Sequence, residues 1–423
     1  MKVRRLDDLD DDAHRALLAR DAGVGVIADD VAEIVDRVRA DGDAALREFA
    51  REFDGVHVEA IEVTDRAQEA VDEVDGDVLA AIREAAENVR AFHERQVPED
   101  WRESVGGREL GRRFRPVASA GAYVPGGTAA YPSSALMGVI PAVVAGVDHV
   151  AVATPPAEDV NPVTLAAIAE AGADRVYAVG GAQAIAALAY GTETVGPVST
   201  IVGPGNRWVT AAKAAVHGDV AIDFLAGPSE ILVVADETAD AGYVAADLLA
   251  QAEHDPAASV VAVTDDPELA DGVIDEIDRQ LNGRDRDGII RDALSHDASG
   301  VLLAGSMSEA IAFAEAYAAE HLSIQAENDE AILADIDSAG SAFLGPYTPV
   351  AAGDYATGTN HVLPTGGGAT VAGGLSVDTF LRASTVQRLD RDALSGLRET
   401  ITTLADAEGL EAHARSVDRR FEE

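Results

Sequence analysis

The middle of the chain alternates short apolar runs with stretches of helical periodicity. The apolar runs lie at residues 148–154, 174–179, 198–202, 230–235, 258–264 and 301–304, and a helical pattern follows each of them. One helix start is marked by Asn161 before Pro162, because Asn caps a helix and Pro fits its first turn. Short apolar strands that alternate with helices are typical of parallel sheets covered on both faces. The sequence therefore predicts an α/β fold.

The two ends of the chain depart from this pattern. Two acidic amphipathic helical stretches are predicted at residues 29–53 and 77–94. From about Ser376 onward the last 48 residues are polar and helical, and we predict no strand partner for them. Domains below about 60 residues are marginal because they bury little apolar surface. We therefore expect this tail to pack on the main body or on another subunit.

Charge is the dominant feature of the composition. Asp and Glu number 75 against 32 Lys and Arg, which gives a formal net charge of −43, and the lysines are Lys2 and Lys213. Such a surface repels nucleic acid and anionic lipid. Salt at 1 M reduces the Debye length to about 3 Å and would screen the self-repulsion. We expect a halophilic protein in a salt-rich cytoplasm.

Several functional classes lack their sequence signals. We find no run of 18 apolar residues, no apolar signal-peptide segment and no cysteine, so we expect no membrane span, disulfide or thiol nucleophile. Neither lysine follows a glycine-rich phosphate loop, and no Gly-x-Ser-x-Gly motif occurs. The glycine run at residues 23–28 follows a helical stretch rather than a strand. We therefore interpret it as a segment that resembles the dinucleotide-binding motif but does not form a phosphate-binding loop.

Three glycine turns follow predicted strands, each beside an aromatic or amide side chain. They lie at residues 123–127, 180–183 and 203–206 and carry Tyr123, Gln183 and Asn206. The carboxyl ends of parallel strands face the ligand crevice, and the N-terminus of the following helix favours phosphate. Plain turn chemistry would explain one such segment, but three together predict a binding crevice.

Four further segments combine imidazole, carboxylate and amide groups. They are residues 251–254, the pair Glu320–His321, the loop 353–365 and residues 408–413. Gln251 and His254 share a helix face at a spacing that could hold a metal ion. Glu320 and His321, which we predict at the end of a helix, could act as a general base pair. Taken singly, a polar helix end or a solvated tail histidine explains most of these segments as well or better.

Taken together and in order, these segments resemble histidinol dehydrogenases, the zinc- and NAD-dependent enzymes of the last two steps of histidine biosynthesis. The resemblance spans nearly the whole chain and rests on residues 121–127, 180–183, 203–206, 226–230, 251–254, 320–322, 353–365 and 408–413. Each segment is a weak signal alone, but eight of them in the family's order are very specific.

The resemblance implies a role for each matching residue. One zinc ion per subunit would be bound by Gln251, His254, Asp354 and His413, whose oxygen and imidazole donors suit zinc. The catalytic acid–base pair would be Glu320 and His321. The substrate would contact Ser229, His361 and Glu408, together with His321 and the zinc-binding residues. NAD would contact Tyr123, Gln183 and Asn206.

The resemblance also implies an aldehyde-dehydrogenase-like fold of two incomplete Rossmann-like αβα units, one inserted in the other, with a helical C-terminal tail. We expect a helical N-terminal segment at 1–22, a main α/β domain at 23–121 and 229–375, an inserted domain with the NAD crevice at 122–228, and a tail at 376–423. In a homodimer with shared active sites, that tail would reach the partner's site.

The implied reaction is the four-electron oxidation of L-histidinol to L-histidine through histidinal, with two NAD. Because the chain has no cysteine, the aldehyde step would need hydration, with Glu320 activating the water and His321 taking the hydroxyl proton in the first step. A zinc hydrolase that uses Glu320 as its water activator and a non-enzymatic scaffold remain alternatives. NADH formation would distinguish the first alternative, and turnover the second.

Overall fold

The computed structural model of the protein describes residues 1–18, 20, 23–126, 130–284 and 286–422. This chain divides into two compact units: unit one is Met1–Gln96 with Val117–Phe380, and unit two is Val97–Pro116 with Leu381–Glu423. Among the described residues, no helix has both the length and the apolar composition needed to cross a membrane.

The strands are β1 (Val3–Arg5), β2 (Trp101–Val105), β3 (Arg108–Pro116), β4 (Ala120–Tyr123), β5 (Val150–Thr154), β6 (Arg175–Ala178), β7 (Thr200–Val202), β8 (Ala221–Ile222), β9 (Glu230–Ala235), β10 (Ser259–Thr264), β11 (Gly300–Leu303), β12 (His321–Gln325), β13 (Ser341–Leu344) and β14 (Leu381–Arg388). The helices are α1 (Asp11–Leu18), α2 (Ala28–Asp41), α3 (Asp43–Phe53), α4 (Thr64–Glu73), α5 (Gly76–Glu94), α6 (Pro132–Ala145), α7 (Pro162–Ala171), α8 (Gly181–Tyr190), α9 (Arg207–Val216), α10 (Ala241–Ala252), α11 (Pro267–Leu281), α12 (Asp287–Ser295), α13 (Met307–Tyr317), α14 (Asp329–Leu333), α15 (Val350–Tyr355), α16 (Arg391–Ala407) and α17 (Glu411–Asp418).

Unit one contains two parallel sheets. The six-stranded sheet has the order β1-β11-β10-β9-β12-β13, and the five-stranded sheet has the order β6-β5-β4-β7-β8. Every strand pair in both sheets is parallel in the described residues. The predicted α/β class is confirmed.

The central strand β9 shows why the apolar runs become strands. All six of its residues are buried, and successive side chains of a strand point to opposite faces. Ile231 and Val233 pack in the core shared with α10 and α11, whereas Leu232 and Val234 pack in the core shared with α13. A sheet covered on both faces requires this continuous apolar sequence rather than an alternating one.

The predicted acidic stretch 29–53 divides into α2 and α3, which cover the five-stranded sheet, and the second stretch, 77–94, lies in α5. Val31 and Phe49 share a hydrophobic core with Ile185 of α8 and Ile201 of β7. The sequence placed residues 23–121 with the main domain, but these helices bury their apolar faces against the sheet of residues 120–222. The boundary between two domains within unit one remains a prediction.

Strands at both ends of the chain depart from the helical expectation. Val3–Arg5 forms β1 at the edge of the six-stranded sheet, so the N-terminal segment is not wholly helical. Strand β14 pairs antiparallel with β3, so the expectation that the tail has no strand partner is wrong for Leu381–Arg388. Most residues of β14 are exposed, and without a buried face the sequence carried no alternating apolar signal. The helices α16 and α17 confirm the helical part of the tail.

Candidate active site

A cavity of about 1700 Å³ lies between the two sheets of unit one. Tyr123 ends β4 and Asn206 follows β7, so the five-stranded sheet contributes its carboxyl edge, as predicted. Ser229 precedes β9 and His321 begins β12, so the six-stranded sheet contributes its amino edge. The rule that parallel sheets bind ligands at their carboxyl ends therefore holds for one wall of the cavity only.

Most of the residues singled out in the sequence line this cavity. They are Tyr123, Gln183, Asn206, Ser229, Gln251, His254, Glu320, His321, Asp354 and His361. Glu408 and His413 lie in unit two, and the lining described here comes from unit one. Gly127 of the first glycine turn lies outside the described residues.

Glu320 and His321 do not close a helix, contrary to the sequence expectation. Helix α13 ends at Tyr317, and Ala318 adopts the left-handed conformation with a φ of 50°. The chain then extends, and His321 is the first residue of β12. Both residues are buried, with 7% of Glu320 and 4% of His321 exposed, so a strand end holds the pair more firmly than a fraying helix end would.

The backbone of Glu230 holds both members of this pair. Its N–H donates to Oε2 of Glu320 at 2.7 Å, and its carbonyl oxygen lies 2.9 Å from Nδ1 of His321. A carbonyl can only accept, so Nδ1 carries the hydrogen. The proton-exchanging atom of His321 is therefore Nε2, which lies 3.6 Å from Oδ1 of Asp354.

The neighbouring carboxylates make His321 a strong proton acceptor. Burial alone would lower the pKa of His321, but the charges of Glu320 and Asp354 raise that pKa well above its usual value. Burial likewise works to raise the pKa of Asp354, but His321 outweighs it and holds that pKa below its usual value. The arrangement can take a proton at Nε2 and stabilise the resulting imidazolium.

The side chain of Glu230 is fixed beneath the pair by two sequence-distant groups. Its Oε1 lies 3.0 Å from Nε of Arg20 and accepts from the N–H of Gly366 at 2.6 Å. Arg20 also donates to the carbonyl of Tyr317 at 2.6 Å and lies over its ring, 3.7 Å from the centroid. Burial raises the pKa of Glu230 to about 7, and the charge of Arg20 opposes that rise.

Arg20 and Glu230 were not singled out from the sequence. Glu230 did carry a signal, because a carboxylate opens an otherwise apolar strand and a buried acid needs a partner. Arg20 had no such local signal, since 210 positions separate it from Glu230 and only the fold brings them together.

His361 is a neutral group on the cavity wall. Its Nδ1 lies 3.1 Å from the carbonyl oxygen of Asp354, which requires a hydrogen on Nδ1, and its Nε2 lies 3.2 Å from Oγ of Ser134. Burial lowers the pKa of His361. The ring can therefore accept a hydrogen bond at Nε2 from Ser134 or from a bound ligand.

Gln251, His254 and Asp354 provide metal-type donors on the same cavity. Gln251 is 2% exposed and lines the cavity, and its side-chain amide makes no hydrogen bond to the described residues. The charge of His254 is among those that lower the pKa of Asp354, after the larger effects of burial and of His321. In the described part of the chain, no three His, Asp or Glu side chains are gathered into a complete metal site. The donor chemistry fits zinc, but unit one alone supplies an incomplete set.

The residues on the five-stranded side are held by backbone contacts. The hydroxyl of Tyr123 accepts from the N–H of Gly181 at 3.1 Å. Oδ1 of Asn206 caps α9 by accepting from the N–H of Trp208 at 3.0 Å, which leaves its amide nitrogen for a ligand. This wall offers aromatic and amide groups beside two helix N-termini, a combination suited to a dinucleotide.

The chain matches one family of known proteins along nearly all of its length. The family model described as histidinol dehydrogenase matches residues 19–421.

The chain belongs to the histidinol dehydrogenase family. Histidinol dehydrogenase of Haloarcula marismortui is 70% identical over 422 residues, covering 100% of both chains. That of Methanocaldococcus jannaschii is 45% identical over 427 residues, covering 100% of this chain and 99% of the relative. The crystal structure of histidinol dehydrogenase from Elizabethkingia anophelis is similar with a TM-score of 0.93 and 36% identity, covering 100% of this chain and 98% of that one.

Membership in the histidinol dehydrogenase family confirms the resemblance drawn from the eight segments. It also confirms the oxidoreductase class and gives no support to the hydrolase or scaffold alternatives. The 70% identity to a haloarchaeal relative agrees with the halophilic character expected from the charge.

Replacing Arg20 by Met should strengthen the dependence of stability on pH that Glu230 causes. The variant loses the charge that opposes the rise in the pKa of Glu230, so the folded-state pKa rises further above its unfolded value. An acid with a raised folded pKa contributes stability at low pH that is lost as pH rises. In urea unfolding, the deficit against the wild type should be small at pH 5 and reach about 3–5 kcal/mol at pH 8, the usual cost of breaking a buried pair.

The matched control is Arg15→Met, which removes an exposed ion pair with Asp12. It should change stability little at either pH, because exposed pairs contribute little. An equal deficit of Arg20→Met at pH 5 and pH 8 would show that Glu230 is not the responsible group.

Proposed function

We propose that this chain oxidises L-histidinol to L-histidine through histidinal at the cavity of unit one, with two NAD and one zinc ion per subunit. The observation that carries the proposal is the grouping of Glu320, His321 and Asp354, with His321 3.5 Å from one carboxylate and 3.6 Å from the other. Family membership supports the substrate. A role in biosynthesis supports a location in the cytoplasm.

Gln251, His254 and Asp354 would hold the zinc ion, together with His413. The amide of Gln251 lies on the cavity wall with no hydrogen-bond partner among the described residues, which supports this assignment. When bound, zinc would hold the imidazole and amine nitrogens of the substrate and so orient its alcohol carbon. Ser229, His361 and Glu408 would complete the contacts to the substrate.

Tyr123, Gln183 and Asn206 would contact NAD. All three line the five-stranded side of the cavity, opposite His321. When bound, NAD would accept a hydride in each of the two oxidation steps. The burial of Tyr123 raises its pKa to about 12, so its hydroxyl stays neutral throughout the working pH range.

His321 would act first. Its Nε2 takes the hydroxyl proton of the alcohol as the hydride leaves the adjacent carbon, which gives the aldehyde. The hydrogen bond from Nδ1 to the Glu230 carbonyl fixes the ring while this happens. The carboxylates of Glu320 and Asp354 stabilise the imidazolium that forms.

Glu320 would act in the second step. Its Oε2 is held by the Glu230 N–H, whereas its Oε1 has no hydrogen-bond partner among the described residues. Oε1 can therefore take a proton from water, whose oxygen adds to the aldehyde carbon. The resulting gem-diolate anion loses the second hydride and becomes the carboxylic acid, which releases a proton to give the carboxylate. No cysteine exists to form a thiohemiacetal instead.

A homodimer would complete the site. In the described part of unit two the buried apolar residues are Ala405, Ala414 and Val417, all small or medium in size. Leu404 and Leu410 are 59% and 44% exposed. A segment with so little core of its own gains stability from a covering subunit, and Glu408 and His413 lie in that segment. We propose that each site receives these two residues from the partner chain.

The overall reaction can be tested by its stoichiometry. We expect two NADH per histidinol consumed, measured by absorbance against product analysis, because an alcohol becomes a carboxylate. Chelator should abolish turnover, and stoichiometric zinc should restore it. Replacing His254 by Asn should reduce bound zinc measured by elemental analysis. One NADH per histidinol, or full activity of verified metal-free protein, would contradict the proposal.

The two half-reactions should separate the roles of Glu320 and His321. Glu320→Gln should still form the first NADH from histidinol but lose by about 10²–10⁴-fold the oxidation of added histidinal, as expected for a missing general base. His321→Asn should impair the first hydride transfer. Stopped-flow NADH formation from each substrate measures both. If Glu320→Gln slows the two steps equally while still binding zinc and substrate, the assignment is wrong.

Shared sites can be tested by mixing two inactive proteins. One carries His413→Ala, and the other carries Gln251→Ala with His254→Ala. In a mixed dimer with shared sites, one site collects all the lesions and the other collects none, so each heterodimer should recover up to half of the wild-type activity. Purification through two different tags gives the heterodimer. A verified heterodimer without activity would show that His413 serves its own chain.

A further inference from the structure

Lys213 is an unusual residue in this chain. It is one of only two lysines, and it is buried in α9 with 3% of its surface exposed. Its Nζ donates to the carbonyl oxygen of Gly203 and to Oδ1 of Asp223, both at 2.6 Å. Burying an ammonium is costly unless its partners are complete, so a chain whose basic residues are otherwise almost all arginine keeps this lysine at a demanding position.

Asp223 and Lys213 together bind the backbone of one residue, Gly203. Its Oδ2 accepts from the N–H of Gly203 at 2.8 Å, while its Oδ1 accepts from Lys213. The side chain of Asp223 is 1% exposed. The ion pair therefore holds both the N–H and the carbonyl of Gly203, and it fixes the peptide planes on either side of that residue.

Gly203 lies where the proposed NAD contacts meet. Its φ is +109°, and a Cβ at this position would lie 2.2 Å from the carbonyl oxygen of Tyr123. Three residues further on, Asn206 caps α9, and α9 carries Lys213 back to Gly203. The segment from Gly203 through Asn206 to Lys213 therefore returns to its own start, and the backbone of Tyr123 packs against Gly203.

We infer that Lys213 and Asp223 are a positioning pair that fixes the turn 203–206 for dinucleotide binding. The inference rests on the proposed assignment of NAD to Tyr123, Gln183 and Asn206. An ammonium is a compact point charge, whereas a guanidinium is a broad planar fork. Both acceptors lie 2.6 Å from the single atom Nζ, an arrangement that suits a point charge and gives a reason for lysine at this position.

The test measures NADH binding by fluorescence titration of the zinc-loaded protein in molar potassium chloride. Lys213→Met should raise the Kd for NADH about tenfold, since small displacements of positioning groups have effects of this size or larger. The KM for histidinol and the bound zinc should stay within about twofold of the wild type. Lys213→Arg should not restore tight NADH binding, because two acceptors placed around a single atom suit a point charge and not a planar fork.

The matched control is Tyr190→Phe. It removes a 2.8 Å hydrogen bond from Tyr190, the last residue of α8, to Asp219 without touching the turn 203–206. NADH binding should be unchanged. If Lys213→Met proves unstable, the double variant Lys213→Met with Asp223→Asn removes both buried charges and is measured in its place, with the same expected loss.

Two outcomes overturn the inference. Wild-type NADH affinity in a folded Lys213→Met or double variant would show that the pair does not position the turn. An equal rise in the KM for histidinol would show a general structural effect. Asn206→Ala tests the underlying assignment separately, because unchanged NADH binding in that variant would contradict the proposed NAD site and not the role of Lys213.

Discussion

The rest of the site depends on the contacts of Glu230, the first residue of the central strand β9. Its backbone holds Glu320 and His321, and its carboxylate holds Arg20 and the N–H of Gly366. A buried carboxylate costs stability unless its partners are complete. Through Oε1 alone, Glu230 ties Arg20 of the N-terminal segment and the loop at Gly366 to the strand whose backbone holds Glu320 and His321.

The sequence predicted the buried strands β5, β6, β7, β9, β10 and β11 because strands covered on both faces need continuous apolar runs, as β9 shows, but it missed β1, β12 and β13 of the six-stranded sheet. It singled out candidate site residues by their types in family order, and ten of those residues line one cavity. It placed His321 wrongly because the alanines at 318 and 319 continue a helix-forming composition. The structure ends the helix earlier because β12 must pair with β9 and β13, a long-range contact that no local pattern contains.

Charged groups at the surface and in the interior differ in how strongly they respond to salt. The ion pairs Arg20–Glu230 and Lys213–Asp223 are almost fully buried, whereas most other ion pairs in the described residues are partly exposed. Salt screens exposed charges strongly and buried charges weakly. The acidic surface can therefore respond to its ionic surroundings while the geometry around the two buried ion pairs stays the same.

The pairing of β1 with β11 has a consequence for synthesis of the chain. Val3 pairs with Val301, so the ribosome must add about 300 residues after β1 before β11 exists. At a synthesis rate of about 5–20 residues per second, this takes roughly 15–60 s. By contrast, the five-stranded sheet and the helices that cover it are complete in sequence before Glu230 leaves the ribosome. The nascent protein can thus assemble the five-stranded wall of the cavity first, and Glu320 and His321 reach Glu230 only when the later strands have arrived.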